Sequence, residues 1–307
     1  MRDPEYDRFG PWIIEISELD PPPPLFVPYL TREEETLLSI KIPRKIERRN
    51  ARPGMNLYDY MVNLYREDMV ILERVGHDVR SETFFYRDIH CLRLGEHLLQ
   101  GNLRLFMSDR VFDIPYNTVS QKIIRRLVTL LRQRYAEGVG TIAIAEEPDR
   151  PQGEFSFLFT RLLAREKVQN PENRVLAMQT DTAVGAYETG IFRRLLFGVI
   201  SKKLLESYHL CDGRELKIVN RGQTYKYRGQ SLHGADIFYI PADRITGVTW
   251  QPDLKNSAVF HLFLQTAGGP ISFAFIRDNP TLRFYDRFLA ATAGLAEGPG
   301  TNWGRRS

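Results

Sequence analysis

The sequence predicts an α+β protein built from two strand-rich blocks, each closed by one amphipathic helix. Short runs of alternating apolar residues recur along the chain, separated by turn-forming pairs such as Gly101-Asn102 and Asp212-Gly213. Helix start signals follow these runs at Thr118 and at Asn279. The 307 residues are 43% hydrophobic and 26% charged, which is the composition of a globular chain with room for about two domains.

The N-terminal residues 1–36 differ in composition from the rest of the chain. They carry three arginines against nine acidic residues and include four consecutive prolines, Pro21–Pro24. A proline run favours an extended polyproline II conformation, which serves either as a stiff connector or as a ligand for an aromatic groove in another protein. Residues 10–17 could supply one strand. We therefore expect an acidic, proline-rich arm over residues 1–36.

The first block is expected over residues 37–137. Leu38, Ile40 and Ile42 alternate with polar residues, which predicts a strand that stops at Pro43. Residues 57–75 are predicted to form two short strands around Arg66–Asp68, with a helix as the competing interpretation. Further strands are predicted at residues 83–94, 103–107 and 111–114.

A helix is predicted to close the first block, ending near Tyr135. Thr118 and Gln121 fit a capping box, with Thr118 as the N-cap. The apolar residues that fall at helical spacing are Val119, Ile123, Leu127, Leu130 and Leu131.

Residues 138–206 are predicted to connect the blocks and could include the start of the second. Strands are expected at residues 141–145 and 175–184, and helices at residues 155–167 and 192–206. The second helix has basic pairs on both sides of an apolar centre.

The second block is expected over residues 207–294, followed by a flexible tail at residues 295–307. Asp212-Gly213 between two apolar runs predicts a hairpin with a type I′ turn. A helix should begin at Asn279 with Pro280 in its first position and stop at Gly294. Further strands are predicted at residues 223–228, 237–240, 245–251, 259–266 and 271–276.

Two short segments carry a resemblance to a known family. Residues 237–248, IFYIPADRITGV, resemble a strand of bacterial pleckstrin-homology-like domains, and VFDIPYN at residues 111–117 is similar in style. The resemblance implies a seven-stranded, strongly bent sheet capped by a C-terminal helix. This arrangement is expected twice in tandem, over residues 37–137 and 207–293. It implies a binding scaffold without fixed catalytic residues. The basic pocket that binds phosphoinositide in some eukaryotic members has no residue-by-residue match here.

Basic residues are clustered although the net charge is only +4. The clusters lie at residues 41–53, 118–135 and 193–203, and they predict a basic surface for an acidic ligand; the alternative is that each is an ordinary solvated face. The residues expected to bind the ligand are Lys122, Arg125, Arg126, Arg193, Arg194, Lys202 and Lys203.

Several residue groups could in principle carry chemistry. The sequence has no phosphate-binding loop, dinucleotide fingerprint, nucleophile elbow or H-E-x-x-H motif. Glu215 and Lys217 form an E-x-K triplet close to Asp212, a pattern that some metal-dependent nucleases use. His209 and Cys211 would share one face of a strand, while His90 and Cys91 would not. Structural roles explain each group as well, so no catalytic residue, metal or cofactor is predicted.

We therefore expect a non-catalytic binding or scaffold protein rather than an enzyme. A protein or peptide is the expected partner, and an anionic membrane surface is the next candidate. Nucleic acid is less expected; it would use the basic and aromatic residues Arg221, Tyr225, Lys226, Tyr227 and Arg228. The alternatives are a metal-dependent hydrolase or nuclease, and a peripheral membrane protein that uses residues 192–205. Two cysteines and the absence of a long apolar stretch or an N-terminal apolar leader predict a cytoplasmic protein, with a position peripheral to the inner membrane face as the alternative.

Overall fold

A computed structural model describes residues 4–141, 154–184, 202–227, 234–254, 256–282 and 285. The chain divides into two compact units, residues 1–137 and 138–307. The described parts of both units consist mainly of antiparallel strands with few helices, so the predicted α+β class is confirmed. The described strands do not close into a barrel.

The first unit contains a five-stranded antiparallel sheet whose strands pair in chain order. The strands are β1 (Ile14–Glu15), β2 (Leu38–Pro43), β3 (Tyr58–Leu64), β4 (Asp68–Val75) and β5 (Asp78–Phe85). The two strands predicted within residues 57–75 are therefore confirmed, and the competing helix is excluded. Met61 of β3 and Leu72 of β4 lie opposite each other in the strand register and are buried in the same apolar cluster.

Three more strands of the first unit form a meander. They are β6 (Ile89–His97), β7 (Gln100–Met107) and β8 (Val111–Asn117). The single strand predicted over residues 83–94 is wrong, because a 3-10 turn at Tyr86–Asp88 separates β5 from β6. The buried Tyr86 side chain accounts for this break, since its hydroxyl donates to the Tyr65 carbonyl at 2.7 Å.

The helix that closes the first unit is α2 (Gln121–Tyr135), entered through a 3-10 turn at Thr118–Ser120. Asn117, rather than Thr118, caps this entry, because its side-chain oxygen accepts from the Ser120 backbone N–H at 3.3 Å. The 3-10 turn shifts the helical phase, so Val119 is exposed instead of facing the core as predicted. The buried face consists of Ile124, Leu127, Val128, Leu131 and Tyr135.

The N-terminal residues pack into the first unit rather than extending from it as an arm. A short helix, α1 (Pro4–Arg8), is followed by Phe9, which is buried together with Phe26 in the cluster that contains Tyr58. The Ile13 backbone N–H donates to the Ser120 hydroxyl at 2.8 Å. Apolar burial and backbone pairing thus hold this acidic segment in place.

The second unit begins its described helical part with α3 (Phe157–Gln169), close to the helix predicted at residues 155–167. Ser156 caps it by accepting from the Phe159 backbone N–H at 3.4 Å. The strands that follow are β9 (Arg174–Gln179), β10 (Thr182–Val184), β11 (Lys202–Leu204), β12 (Ser207–Cys211), β13 (Glu215–Asn220), β14 (Tyr225–Tyr227), β15 (Ala235–Pro241), β16 (Gly247–Asp253), β17 (Asn256–Thr266) and β18 (Gly269–Ile276).

These strands form three antiparallel arrays within the unit, in the orders β9-β12-β13-β15, β10-β11-β14 and β16-β17-β18. The strand predicted over residues 175–184 is divided into β9 and β10. The helix predicted over residues 192–206 is wrong at residues 202–204, which form β11; its residues 192–201 lie outside the described part. The strand conformation is stabilised because Leu204 packs with Val184 and Val259 in a small core.

The hairpin predicted at Asp212-Gly213 is present between β12 and β13, but its turn type differs from the prediction. Gly213 has a φ of +91°, and among the described residues only glycines have a positive φ. A type I′ turn needs a positive φ at both central residues, whereas a type II′ turn needs it only at the first. The Asp212 N–H donates to the Glu215 carbonyl at 3.4 Å, so Gly213 and Arg214 are the central residues, and the positive φ at the first of them fits type II′.

The helix predicted from Asn279 is described only at its start. The Asn279 side-chain oxygen accepts from the Thr281 backbone N–H at 3.0 Å, and Leu282 and Tyr285 are helical. The remainder of this helix, the tail at residues 295–307 and the strand predicted at residues 141–145 beyond Thr141 lie outside the described residues.

Candidate binding surfaces

Three of the predicted binding residues lie on the first turns of α2. Lys122, Arg125 and Arg126 are all exposed. The Arg125 guanidinium contacts the Glu96 carboxylate at 2.8 Å, and the Arg126 guanidinium pairs with Glu15. Lys122 makes no ion pair with any residue in the described part of the chain. Two of the three positive charges are therefore largely offset within the unit, and Lys122 is the one best placed to meet an external anion.

Two other predicted residues, Lys202 and Lys203, lie on opposite faces of β11. Lys202 faces the same side as the buried Leu204, and its ammonium lies 3.4 Å from the centroid of the Tyr225 ring. Lys203 is exposed and lies directly opposite Lys226 of β14 in the strand register. Arg193 and Arg194, the remaining predicted binding residues, lie outside the described residues.

Lys203, which is exposed, and Lys226, which is half-buried, place two positive charges side by side on the β10–β11–β14 sheet. Neither lysine is within ion-pair distance of an acidic side chain among the described residues. Ala183 occupies the register position beside Lys203 on β10, so a small apolar side chain borders the pair. Like charges placed directly opposite each other cost stability in an antiparallel pair. We call this exposed surface the Lys203–Lys226 face.

The E-x-K triplet is positioned inside the second unit rather than at an open site. Glu215 and Lys217 are buried, and the Lys217 ammonium pairs with the buried Glu166 of α3. The Lys217 ammonium also lies 4.9 Å from the centroid of the Tyr239 ring. Asp212 is engaged in the turn, where its carboxylate accepts from two backbone N–H groups at 2.9 Å. These contacts give Lys217 and Asp212 structural roles, and burial encloses Glu215.

The histidine and cysteine of β12 are likewise enclosed. The Nδ1 atom of His209 lies 3.1 Å from the Tyr285 hydroxyl, and the Phe273 and Phe275 rings surround the imidazole at centroid distances of 5.1 Å. Burial lowers the pKa of His209 to about 3, so the ring is neutral near pH 7. Burial raises the pKa of the Cys211 thiol to about 12, which makes it a poor nucleophile.

The other predicted histidine–cysteine pair lies in β6. The His90 Nε2 atom is 2.9 Å from the Ser108 hydroxyl, and Cys91 is buried. Within the described ranges, no group of three histidine, cysteine, aspartate or glutamate side chains is arranged to hold a metal ion.

A pocket of about 200 Å³ opens in the first unit beside the proline run. Pro21, Pro22 and Pro24 line it together with Tyr58 and Lys41. The Lys41 ammonium donates to the Pro21 carbonyl at 2.9 Å, and burial lowers the pKa of this lysine. The prolines therefore share a pocket with an aromatic side chain of their own unit, an intramolecular arrangement that the sequence does not predict.

A scan against protein-family models finds no match for the chain, and a search of curated proteins finds no relative. None of the described helices combines the length and apolar character needed to span a bilayer.

Proposed function

We propose that the protein is a non-catalytic binding protein, built from two strand-rich units that resemble pleckstrin-homology-like modules. It recognises an acidic protein or peptide through the Lys203–Lys226 face. The first unit supports the resemblance, since a succession of antiparallel strands is followed by α2, which buries one apolar face.

The observation that carries the proposal is the placement of Lys203 opposite Lys226. The exposed Lys203 and the half-buried Lys226 lie on one face without a described acidic neighbour, so their ammonium groups attract a carboxylate-bearing ligand and orient its approach. The inner face of the same sheet is fixed by Leu204 and by the contact of Lys202 with Tyr225, so the two outer lysines stand on an ordered support.

The side chains considered for catalysis favour binding over hydrolysis. A metal-dependent nuclease needs Glu215 and Lys217 at an accessible surface, whereas Lys217 has 5% exposure and pairs with Glu166, which has 3%. Cys91 and Cys211 are buried thiols rather than a disulfide, which suits the reducing cytoplasm that we propose as the site of action.

The proposal is tested by titrating the full chain into a fluorescein-labelled poly-glutamate peptide at low ionic strength and measuring anisotropy. We expect saturable binding that weakens with added salt, and a loss of roughly fivefold in affinity for Lys203→Glu because attraction is replaced by repulsion. Arg174→Glu is the matched control, since Arg174 is an exposed strand residue of the same unit and the charge change is identical.

The control should bind the peptide nearly as well as the unmodified protein. An equal loss of affinity in both variants would show that only net charge matters, and an unchanged affinity for Lys203→Glu would place binding elsewhere.

A further inference from the structure

Four large apolar side chains at one place on the first unit are exposed to solvent. Leu98 and Leu99 are 70% and 76% exposed, Val119 is 73% exposed and Trp12 is 38% exposed. We call these four residues the apolar tip. Single exposed apolar residues are ordinary, but neighbouring ones commonly mark an interaction surface.

Hydrogen bonds between their flanking residues bring the four together. The Thr118 backbone N–H, next to Val119, donates to the Leu99 carbonyl at 3.4 Å. On the other side, the Asn117 side-chain amide donates to the Pro11 carbonyl at 2.6 Å, and the Ile13 N–H donates to the Ser120 hydroxyl at 2.8 Å. Both neighbours of Trp12 are thus fastened to the segment that contains Val119.

The backbone conformation of the turn does not explain why leucine occupies positions 98 and 99. These residues form the two-residue turn between β6 and β7, where His97 pairs with Gln100. Such turns favour glycine, asparagine and aspartate, which tolerate tight geometry and solvent. Neither leucine has a positive φ, so the turn would accept polar residues equally well. Two leucines at the end of a hairpin are therefore better explained by what they contact outside the protein.

Positive charge lies immediately beside the apolar tip. Lys122 is exposed at the start of α2, three residues after the exposed Val119 of the preceding 3-10 turn. Arg126 lies one helical turn beyond Lys122, although its guanidinium already pairs with Glu15. At a bilayer surface, apolar side chains enter the acyl layer, tryptophan lies at the interface and cations meet the headgroups. The apolar tip and Lys122 together provide these three kinds of side chain.

We infer that the apolar tip inserts into an anionic bilayer surface while Lys122 contacts the lipid headgroups. A hairpin turn is convex, and a fluid acyl layer closes around a convex apolar surface without needing a complementary cavity. The inference goes beyond the proposed function, because it concerns the first unit and involves neither Lys203 nor Lys226.

The test is flotation of the full chain with vesicles of phosphatidylcholine, with and without phosphatidylserine. We expect binding that is stronger with phosphatidylserine, and a loss of at least about tenfold in the partition coefficient for Leu98→Ser combined with Leu99→Ser. Lys122→Glu should weaken binding about fivefold on the anionic vesicles. The matched control combines Leu254→Ser and Val168→Ser, two well-exposed apolar residues of the second unit, and should bind like the unmodified protein.

A second measurement requires no change in the hairpin. Brominated lipids should quench tryptophan fluorescence of the unmodified protein, and the Trp12→Phe variant should lose this quenching. The inference is overturned if the protein does not float with anionic vesicles. It is also overturned if the serine variant binds as tightly as the unmodified protein, or if quenching persists without Trp12.

Discussion

Two hairpin turns of this protein each connect a pair of antiparallel strands, but they use different kinds of residue. The turn between β12 and β13 uses Asp212 and Gly213, and both serve the backbone: Gly213 supplies a φ of +91°, and the Asp212 carboxylate accepts two N–H groups. The turn between β6 and β7 uses Leu98 and Leu99, which have no such role and are largely exposed. The residues of the Asp212 turn are explained by the backbone they support, whereas the Leu98 turn presents apolar side chains to solvent.

The difference separates residues that maintain the fold from residues available to a partner. The strands beside the Asp212 turn lead into a buried network, in which Lys217 pairs with Glu166. The Leu98 turn instead lies beside the segment that enters α2, because the Thr118 backbone N–H donates to the Leu99 carbonyl at 3.4 Å. Substitutions in the turn that contains Asp212 should therefore change stability, and substitutions in the turn that contains Leu98 should change binding.

The largest effect on stability is expected for Lys217→Ala in the hairpin that contains Asp212. Removing the lysine leaves the buried Glu166 carboxylate without its cation, which should lower the free energy of unfolding by about 3–5 kcal/mol. Denaturant titration followed by circular dichroism measures this loss. Lys203→Ala, an exposed lysine of the same unit, should change stability by no more than about 0.5 kcal/mol. Equal stability of the two variants would contradict the structural role of Lys217.

A smaller loss is expected for Gly213→Ala. An alanine at a positive φ is strained, so the free energy of unfolding should fall by about 1–2 kcal/mol. Arg214→Ala changes the adjoining turn residue, which has no positive φ, and should be nearly neutral in the same denaturant titration. If Gly213→Ala is also neutral, the turn does not need the conformation described here.

The smallest effect on stability is expected for the combined Leu98→Ser and Leu99→Ser variant. Because both side chains are mostly in solvent, the free energy of unfolding should change by no more than about 0.5 kcal/mol. Thermal unfolding without vesicles provides the measurement. A marked destabilisation would mean that these leucines support the fold, and the contrast between the two turns would disappear.

The sequence predicts those features that depend on local pattern. Alternating apolar residues predict β2, and Asn279 predicts the start of its helix, because burial on one face and backbone capping leave local signatures. The sequence pattern does not predict the exposure of Val119, because a 3-10 turn changes the helical phase without a clear sequence signal.

The candidate binding surfaces depend on contacts between residues that are far apart in the chain, so the sequence predicts them less completely than it predicts the strands. Lys203 was predicted from its charge, but Lys226 joins it only through the register of β11 and β14. Arg125 and Arg126 were predicted on the same basis, yet Glu96 and Glu15 offset their charges from 29 and 111 residues away in the chain. Lys202 and Lys203 lie on opposite faces because β11 is a strand, a separation that the helix predicted over residues 192–206 does not indicate.

The most direct test of the proposed function uses carbodiimide crosslinking in native cells, followed by purification of the tagged protein and mass spectrometry. This reagent joins a lysine amine to a carboxylate in contact with it, so it reports on an acidic partner at the Lys203–Lys226 face. We predict a reproducible acidic protein joined to Lys226, retained with Arg174→Glu and strongly reduced with Lys203→Glu. Crosslinks at Lys226 that are equally abundant in both variants, or crosslinks confined to other lysines, would contradict the proposal.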